Sequence, residues 1–328
     1  MPHTPSTLFI NEPGTVVGIS KGRFVVKKQR KTLLSIPQSH CERVIVAARS
    51  VSISSDFIAV CARLGIGIDF FDRSLKEPLS QLSGQKSALA QMSRLQLALL
   101  GTPAQLQLAK AFLRAKTKNQ INYLRYMNKY HKHFADTITQ MHRIQKEMLT
   151  IARTNNELMG YEGHISNLYW QAIAQMLEGK VAFEHRRTKG AADIVNSALN
   201  YGYGILYGRV HYHALRAGLS LHISFLHAPQ ENRPTLVYDL IEEFRTFVVD
   251  RTILRMFNQK EPLVLDDKGM LDDFSRKRIA AKVIEKLASK TRYKNASVEI
   301  DHIISQQAYL LARAVKGVAT YRGFVGRY

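Results

Sequence analysis

The spacing of hydrophobic residues changes near residue 88, and this change constrains the fold more than any other feature of the sequence. Before it, apolar residues form short runs bounded by turn residues such as Lys21-Gly22, which is typical of β-strands. After it, they recur at helical intervals and strand signals are nearly absent. We predict an α+β chain: a small N-terminal β-domain, β-sandwich-like with one short helix, and then a larger all-α C-terminal domain.

The predicted domains are residues 1–75 and 89–328, joined by a polar linker at 76–88. In the first domain we expect a helix that Ser54 or Ser55 caps and Gly65 ends, together with strands at 7–10, 15–20, 23–28, 32–36, 43–47 and 66–71. In the second we expect helices at 88–100, 104–149, 156–178, 191–217, 235–257, 271–288 and 298–315. Asn119 is the candidate break in the longest of these.

The chain is strongly basic, with 47 Lys and Arg against 26 Asp and Glu and a formal net charge of +21 over 328 residues. Such an excess repels itself unless a polyanion shares the surface, and nucleic acid is the commonest polyanion that proteins bind. An anionic membrane surface and a basic protein without a specific polyanion are the alternatives.

Features that direct a protein out of the cytoplasm are missing from the sequence. Cys41 and Cys61 form neither a disulfide framework nor a metal-ligand spacing, so we expect two buried thiols. The first fourteen residues lack the pattern of a signal peptide, and no window holds eighteen apolar residues. We expect a cytoplasmic protein without membrane contact.

Glu162 interrupts an apolar stripe on a predicted helix. Positions 158, 162, 165, 169, 172 and 176 share one helical face, and the other five are Leu, Ile, Tyr, Ala and Met. A lone carboxylate on such a face is costly unless it is paired or bound to a metal. The alternative to a metal ligand is an ion pair with one of the many Lys or Arg residues.

His227 precedes a second acidic group by a short loop. Asp239 and Glu242 are three residues apart, so they share one face of a largely apolar helix, and a divalent cation relieves the repulsion between two such carboxylates. One imidazole and two carboxylates without a cysteine favour a hard ion such as Mg²⁺ or Mn²⁺. The alternatives are a solvated acidic patch that Glu243 continues, and a packed or surface histidine.

One basic stripe on a helix is predicted within residues 276–294. Its four members recur every four residues and face few acids, which is typical of a surface that follows a phosphate backbone: Arg278, Lys282, Lys286 and Lys290. The alternative is an ordinary solvated helix face.

An ordered set of motifs runs along the sequence. The set comprises LFINEPGTVVGISKGRFVV (8–26), VSISSDFIAVCARLGIGIDFFD (51–72), MGYEG (159–163), LYW (168–170), FEHRR (183–187), DIVNSALNYGYGIL (193–206), AGL (217–219), FLH (225–227) and DLIEEFR (239–245). Each fragment is weak alone, but the ordered set spans nearly the whole chain. Together the motifs resemble the Cas-one family of CRISPR-associated adaptation integrases.

The resemblance implies a metal-dependent endonuclease and integrase of CRISPR spacer acquisition. Glu162, His227 and Glu242 match the metal ligands of the family, and Asp239 matches a further catalytic acidic position that tunes or shares the ion. The 3′-hydroxyl of a protospacer then attacks a phosphodiester at the CRISPR repeat. We expect DNA contacts from the basic stripe and from the motif residues Arg186, Arg187, Asn196, Tyr201, Tyr203 and Arg245.

The resemblance also implies partners: a homodimer formed through the β-domains, and a small ferredoxin-like protein, Cas-two. Two local differences from the family are the sequence LHISFLH (221–227), where a Gly-Phe-Leu-His turn follows a proline, and Glu243, where a proline is common. The alternatives are a non-catalytic architectural DNA-binding protein of the same fold, a transposon-borne integrase, and an adaptation protein that works beside a reverse transcriptase.

Overall fold

The computed structural model describes residues 6–71, 78–82, 89–188 and 190–328. The chain divides into two compact units, Met1–Ser87 and Ala88–Tyr328. The first is rich in strands and the second is mainly helical, which confirms the predicted fold class.

The N-terminal unit contains two four-stranded sheets, numbered along the chain as β1–β8: Ser6–Ile10, Val16–Ser20, Arg23–Lys28, Lys31–Pro37, Cys41–Val46, Ser52–Ile53, Gly67–Phe71 and Pro78–Leu82. One sheet has the order β1-β5-β7-β8 and the other β4-β3-β2-β6. β1, β5 and β7 run parallel, whereas β2, β3 and β4 form an antiparallel meander. Helix α1 (Ser55–Leu64) connects β6 to β7.

Local signals in the sequence fix these elements. Ser20 pairs with Arg23 across a two-residue turn, in which Lys21 and Gly22 both have positive φ, as tight hairpins require. The Ser54 hydroxyl accepts a hydrogen bond from the Phe57 amide and caps α1. The predicted strands and helix are therefore confirmed.

The core of this unit packs α1 against strand side chains, with Phe24 and Phe57 buried at its centre. Both thiols are buried and free. Burial raises the pKa of Cys41 to about 11 and that of Cys61 to about 12, so neither is a reactive thiolate near neutral pH.

The C-terminal unit is built from helices α2–α10: Leu89–Leu99, Pro103–His131, Ala135–Ile151, Asn155–Leu177, Ile194–Arg216, Thr235–Phe244, Arg251–Asn258, Asp273–Ala288 and Ile300–Val315. A π-helical segment, Arg245–Asp250, joins α7 to α8. The strands β9 (Lys290–Tyr293) and β10 (Ala296–Glu299) form a hairpin between α9 and α10. No helix among the described residues has both the length and the apolar character needed to cross a lipid bilayer.

Three local predictions differ from the structure. The long helix breaks at Lys132, which is in the left-handed region at φ 59°, whereas Asn119 lies buried inside α3. The hairpin 290–299 was not predicted, because alternating Lys and Arg hide its strand pattern. Strand β8 lies inside the predicted linker 76–88 and pairs with β7, and the other residues of that segment are outside the described ranges.

The C-terminal segment, residues 319–328, is held against α3 and α7 without regular secondary structure. The Asn119 side chain donates to the Phe324 carbonyl and accepts from the Gly326 amide, at 2.9 and 2.8 Å. The Glu243 carboxylate accepts from the Phe324 amide at 2.8 Å and from the Tyr321 hydroxyl. Burial raises the pKa of Glu243 to about 8.

Gly326→Ala is expected to destabilise the protein by about 1–3 kcal/mol, because the added Cβ would overlap the Phe247 ring. Gly160→Ala is the matched control: this glycine lies within α5 and faces open space, so the substitution should stabilise by about 0.5–1 kcal/mol. Urea unfolding followed by circular dichroism measures both changes. Equal stabilities would contradict the packing of the C-terminal segment.

Candidate active site

The apolar stripe predicted on α5 is buried as expected. Leu158, Ile165 and Tyr169 are fully buried, and Glu162 lies among them with 9% of its surface exposed. The Glu162 Oε1 atom accepts a hydrogen bond from the Ser166 hydroxyl at 2.6 Å. A carboxylate is thus held at a fixed position on a core-facing helix surface.

Lys116, from α3, joins the two glutamates that the motifs single out. Its Nζ atom lies 2.7 Å from Glu162 Oε1 and 2.6 Å from Glu242 Oε2. Burial acts to lower the pKa of Lys116, but the carboxylates of Glu242 and Glu162 outweigh burial and raise it. One cation therefore bridges two carboxylates from different helices. For Glu162, the sequence left open an ion pair with Lys or Arg as the alternative to a metal-ligand role, and the structure contains such a pair.

Glu242 is 3% exposed on α7, and Arg245 Nε lies 3.3 Å from its Oε1 atom. Burial acts to raise the pKa of Glu242, yet Arg245, Lys116 and His227 together lower it to about 2. The Oε2 atom has no aligned hydrogen bond, although Lys116 Nζ is close by. Apart from the Lys116 ammonium, this buried oxygen has no partner among the described residues.

Asp239 orients the loop that carries His227. Its Oδ2 atom accepts from the Phe225 and Leu226 amides at 2.6 and 3.0 Å. Its Oδ1 atom accepts from the His227 amide at 3.1 Å and lies 2.8 Å from His227 Nδ1. Because Asp239 is fully buried and its oxygens are occupied, it positions His227 and leaves the Nε2 atom free. The solvated acidic patch is excluded.

Side-chain amides hold the same loop from its other side. Asn155 donates to the Phe225 and Leu226 carbonyls at 2.7 and 3.1 Å, and Gln105 donates to the Phe225 carbonyl at 3.0 Å. This sequence therefore builds the turn before His227 without the glycine and proline of the family pattern.

The carboxylates and the imidazole do not form a closed ligand cage in their present rotamers. Among the described residues, no three His, Cys, Asp or Glu side chains are grouped so as to hold one metal ion. The Lys116 ammonium lies between Glu162 and Glu242, where a shared cation would have to lie. The donor set still fits a hard divalent ion: two carboxylates, of which Glu242 offers an oxygen without an aligned hydrogen bond, and a free imidazole nitrogen.

A buried carboxylate that the sequence analysis missed, Asp250, supports this cluster from the π-helical segment. It accepts hydrogen bonds from the Tyr169 hydroxyl at 2.9 Å and from the Tyr203 hydroxyl. The guanidinium groups of Arg245 and Arg186 lie 5.0 and 5.2 Å from the centre of the Tyr203 ring. The predicted DNA-binding residue Tyr203 is therefore packed against two arginines and, like them, is partly buried.

Two of the other predicted DNA-binding residues are buried. Asn196 is 1% exposed and its side chain bonds to Asp193, the His185 carbonyl and the Arg187 amide, so it shapes the loop before α6. Tyr201 is 8% exposed. The Arg187 side chain, by contrast, lies at the surface.

The basic stripe is less regular than its spacing predicts. α9 ends at Ala288, so Lys290 lies in β9 and not on the helix. Arg278 Nε is 2.5 Å from a carboxylate oxygen of Glu261, and Lys282 Nζ is 3.2 Å from one of Glu285. The prediction of one helical stripe is therefore wrong for Lys290. Arg278 and Lys282 are paired with carboxylates, whereas Lys286 contacts an aromatic ring: its Nζ atom lies 4.2 Å from the centre of the Phe247 ring.

Lys116 was the most consequential omission of the sequence analysis. It is one of many basic residues in α3, and no spacing distinguishes it. Only the contacts of the folded chain identify it.

Sequence comparisons find related proteins over most of the chain. The family model described as CRISPR associated protein Cas1 matches residues 8–285. A curated relative from Francisella tularensis subsp. novicida, named CRISPR-associated endonuclease Cas1 1, is 29% identical over 98% of this chain and 99% of its own length.

Two solved structures share the fold at 19% identity each. A casposase bound to integration product has a TM-score of 0.83, over 98% of this chain and 94% of that one. A Cas6-RT-Cas1–Cas2 complex has a TM-score of 0.80, over 99% of this chain and 36% of that one. Because the family model matches residues 8–285, which are most of this chain, the chain belongs to the Cas1 family.

Proposed function

We propose that this protein is a CRISPR adaptation integrase, a metal-dependent DNA endonuclease and transesterase. The observation that carries the proposal is the pair of buried carboxylates, Glu162 and Glu242, that share one cation beside an oriented His227. Membership of the Cas1 family, whose curated relatives are named endonucleases, supports it.

Glu162, Glu242 and the Nε2 atom of His227 are the groups that would hold Mg²⁺ or Mn²⁺. When bound, the ion supplies Lewis acidity that favours the attacking alkoxide and stabilises the leaving oxygen. Asp239 acts behind them, since its hydrogen bond fixes the ring of His227 and leaves Nε2 as the donor.

The reaction that we propose exchanges one phosphodiester for another. The 3′-hydroxyl of the protospacer attacks a phosphorus atom at the CRISPR repeat, a new P–O bond forms, and the old bond to the 3′-oxygen of the repeat breaks. No protein nucleophile is needed. Arg245, whose side chain is 31% exposed and reaches Glu242, is placed to neutralise phosphate charge beside the carboxylates.

The DNA surface in this proposal includes Arg186 and Arg187 as well as Arg245. The net charge of +21 supports it, since a polyanion offsets the self-repulsion of so basic a chain. Because its substrate is chromosomal DNA, we place the protein in the cytoplasm.

We further propose a homodimer through the N-terminal unit and assembly with Cas-two. Strand β4 lies at an edge of its sheet and exposes Leu33 and Leu34, at 45% and 42%, which a second chain could cover. The fold is shared with a chain of a Cas6-RT-Cas1–Cas2 complex, which supports Cas-two and, in some settings, a reverse transcriptase as partners.

Two other functions have less support. An architectural DNA-binding protein has no need for ionised, buried Glu242 beside a second carboxylate and an oriented imidazole. A transposon-borne integrase would use the same chemistry, and the shared fold with a casposase is consistent with it. The genes beside this one distinguish that role from CRISPR adaptation.

Cleavage of branched DNA is expected to require Mn²⁺ or Mg²⁺ and to fail with Ca²⁺. Ca²⁺ takes the same oxygen ligands, but it accepts looser and higher coordination, so it can occupy the site without supporting turnover. The measurement is nicking of a branched substrate with each ion in turn, after treatment with chelator. Full activity in excess chelator would rule out the metal mechanism.

A further inference from the structure

A cleft between α8 and α9 lies outside the carboxylate cluster. It has a volume of about 250 Å³, and its lining includes Arg251 and Arg255 from α8 and Lys286 from α9. We call it the α8–α9 cleft. Arg255 is exposed and the other two are half-buried, so the cleft is open to solvent at one side.

Three of the four cations that line the α8–α9 cleft, Arg251, Arg255 and Lys286, have no acidic partner among the described residues. The fourth, Lys282, pairs with Glu285 inside the cleft, and Glu261 pairs with Arg278. Within the described part of the helical unit, no carboxylate forms an ion pair with Arg251, Arg255 or Lys286. Burial, together with the neighbouring Arg251 and Arg255, lowers the pKa of Lys286 to about 8. The cleft therefore concentrates unbalanced positive charge.

Aromatic rings fix two of these cations in place. The Arg251 guanidinium lies 5.4 to 5.8 Å from the ring centres of Tyr126, Phe247 and Tyr328. Lys286 Nζ lies 4.2 Å from the Phe247 centre. Ordered cations bind an anion at a lower entropic cost than mobile surface side chains do.

We infer that the α8–α9 cleft is a phosphate-binding subsite that receives one backbone phosphate of DNA through Arg251, Arg255 and Lys286. The cleft is smaller than the roughly 300–1,000 Å³ sites that enclose whole small-molecule ligands, so it suits one group of a polymer that continues outside. Arginine offers two parallel donors to phosphate oxygens, and lysine adds a point charge. The inference rests on the proposed function, which supplies the DNA.

The subsite is tested with Arg255→Gln, Lys286→Met and the double variant, in the full-length protein. Lys277→Gln is the control, because Lys277 is an exposed residue of α9 that does not line the cleft. Binding of a short labelled duplex is measured by anisotropy at several salt concentrations. Each single variant should bind about tenfold more weakly, as expected for a lost bond to a charged group. The control should bind as the wild type does.

The salt dependence reports how many phosphates the cleft holds. If both side chains bind the same phosphate, the double variant lowers the slope of log K against log salt by about 0.9 in total. A loss of about 1.8 would mean two separate phosphates and would overturn the single subsite. An unchanged slope and affinity in the double variant would overturn the inference altogether.

A second measurement identifies the source of the phosphate. Lys286 is labelled with an amine-reactive reagent and quantified by peptide mass spectrometry, alone and with duplex DNA, a mononucleotide or inorganic phosphate. We expect protection by DNA at concentrations near its Kd, and no protection by the small anions at equal phosphate concentration. Protection by the mononucleotide at that concentration would instead indicate a nucleotide site and overturn the assignment to DNA.

Failure of the subsite is distinguishable from failure of the proposed function. If the double variant binds DNA normally while Glu242→Gln abolishes metal-dependent cleavage, the subsite is wrong and the function stands. If the wild type neither binds nor cleaves DNA with any metal, the proposed function is wrong, and with it the inference.

Discussion

Glu162→Ala is expected to lower nicking and integration at least about a thousandfold, because a metal held at one site contributes several kcal/mol to the transition state. Duplex affinity should stay within about twofold, since the residue removed is an acid that makes no contact with DNA phosphates. Cleavage of branched DNA and gel-shift affinity are measured on the same preparation.

The matched control for this substitution is Glu178→Ala. Glu178 is the exposed residue that ends the same helix, so its loss changes the net charge equally without touching the carboxylate cluster. The control should cleave like the wild type. If Glu162→Ala also cleaves like the wild type, the assignment of the active site is wrong.

Lys116→Met should make the stability of the protein depend on a divalent cation. Its removal leaves two buried carboxylates without their shared ammonium, and breaking a buried ion pair costs about 3–5 kcal/mol. For a unit of this size, the melting temperature without metal should fall by about 10 °C. Because the ion no longer has to displace a lysine, Mn²⁺ should restore most of that loss and should stabilise the variant more than the wild type.

Thermal unfolding with and without Mn²⁺ measures this effect independently of catalysis. Arg114→Met is the control, since Arg114 is an exposed residue of the same helix and has no contact with either glutamate. It should melt like the wild type under both conditions. An equal shift with Mn²⁺ in wild type and Lys116→Met would show that lysine and metal do not compete.

Much of the fold could be predicted because its signals are local. The Lys21-Gly22 turn, the Ser54 cap and the buried stripe around Glu162 depend on residues a few positions apart. The break at Lys132 could not be found in this way. Residues 132–134 include no proline or glycine, and the polar residues that precede them continue the helical pattern.

The sequence indicated which residues belong to the candidate site, but it did not indicate how their side chains contact one another. The motifs indicate Glu162, His227 and Glu242, yet the position of Lys116 between two of them depends on how α3 packs against α5 and α7. Likewise, the spacing of Asp239 from Glu242 predicts a shared face. It does not predict that Asp239 turns to the backbone amides of the His227 loop.

The C-terminal segment also sets the order in which the site is completed during synthesis. Glu243 is made 81 residues before Phe324, whose amide it binds, so a ribosome adding about 5–20 residues per second takes roughly 4–16 seconds to supply that partner. Until then, Glu243, which lies next to Glu242 in α7, lacks its hydrogen bonds from Tyr321 and Phe324. The packing behind the carboxylate cluster is therefore completed only after residues 321–324 have been made, well after the helices that carry Glu162 and Glu242.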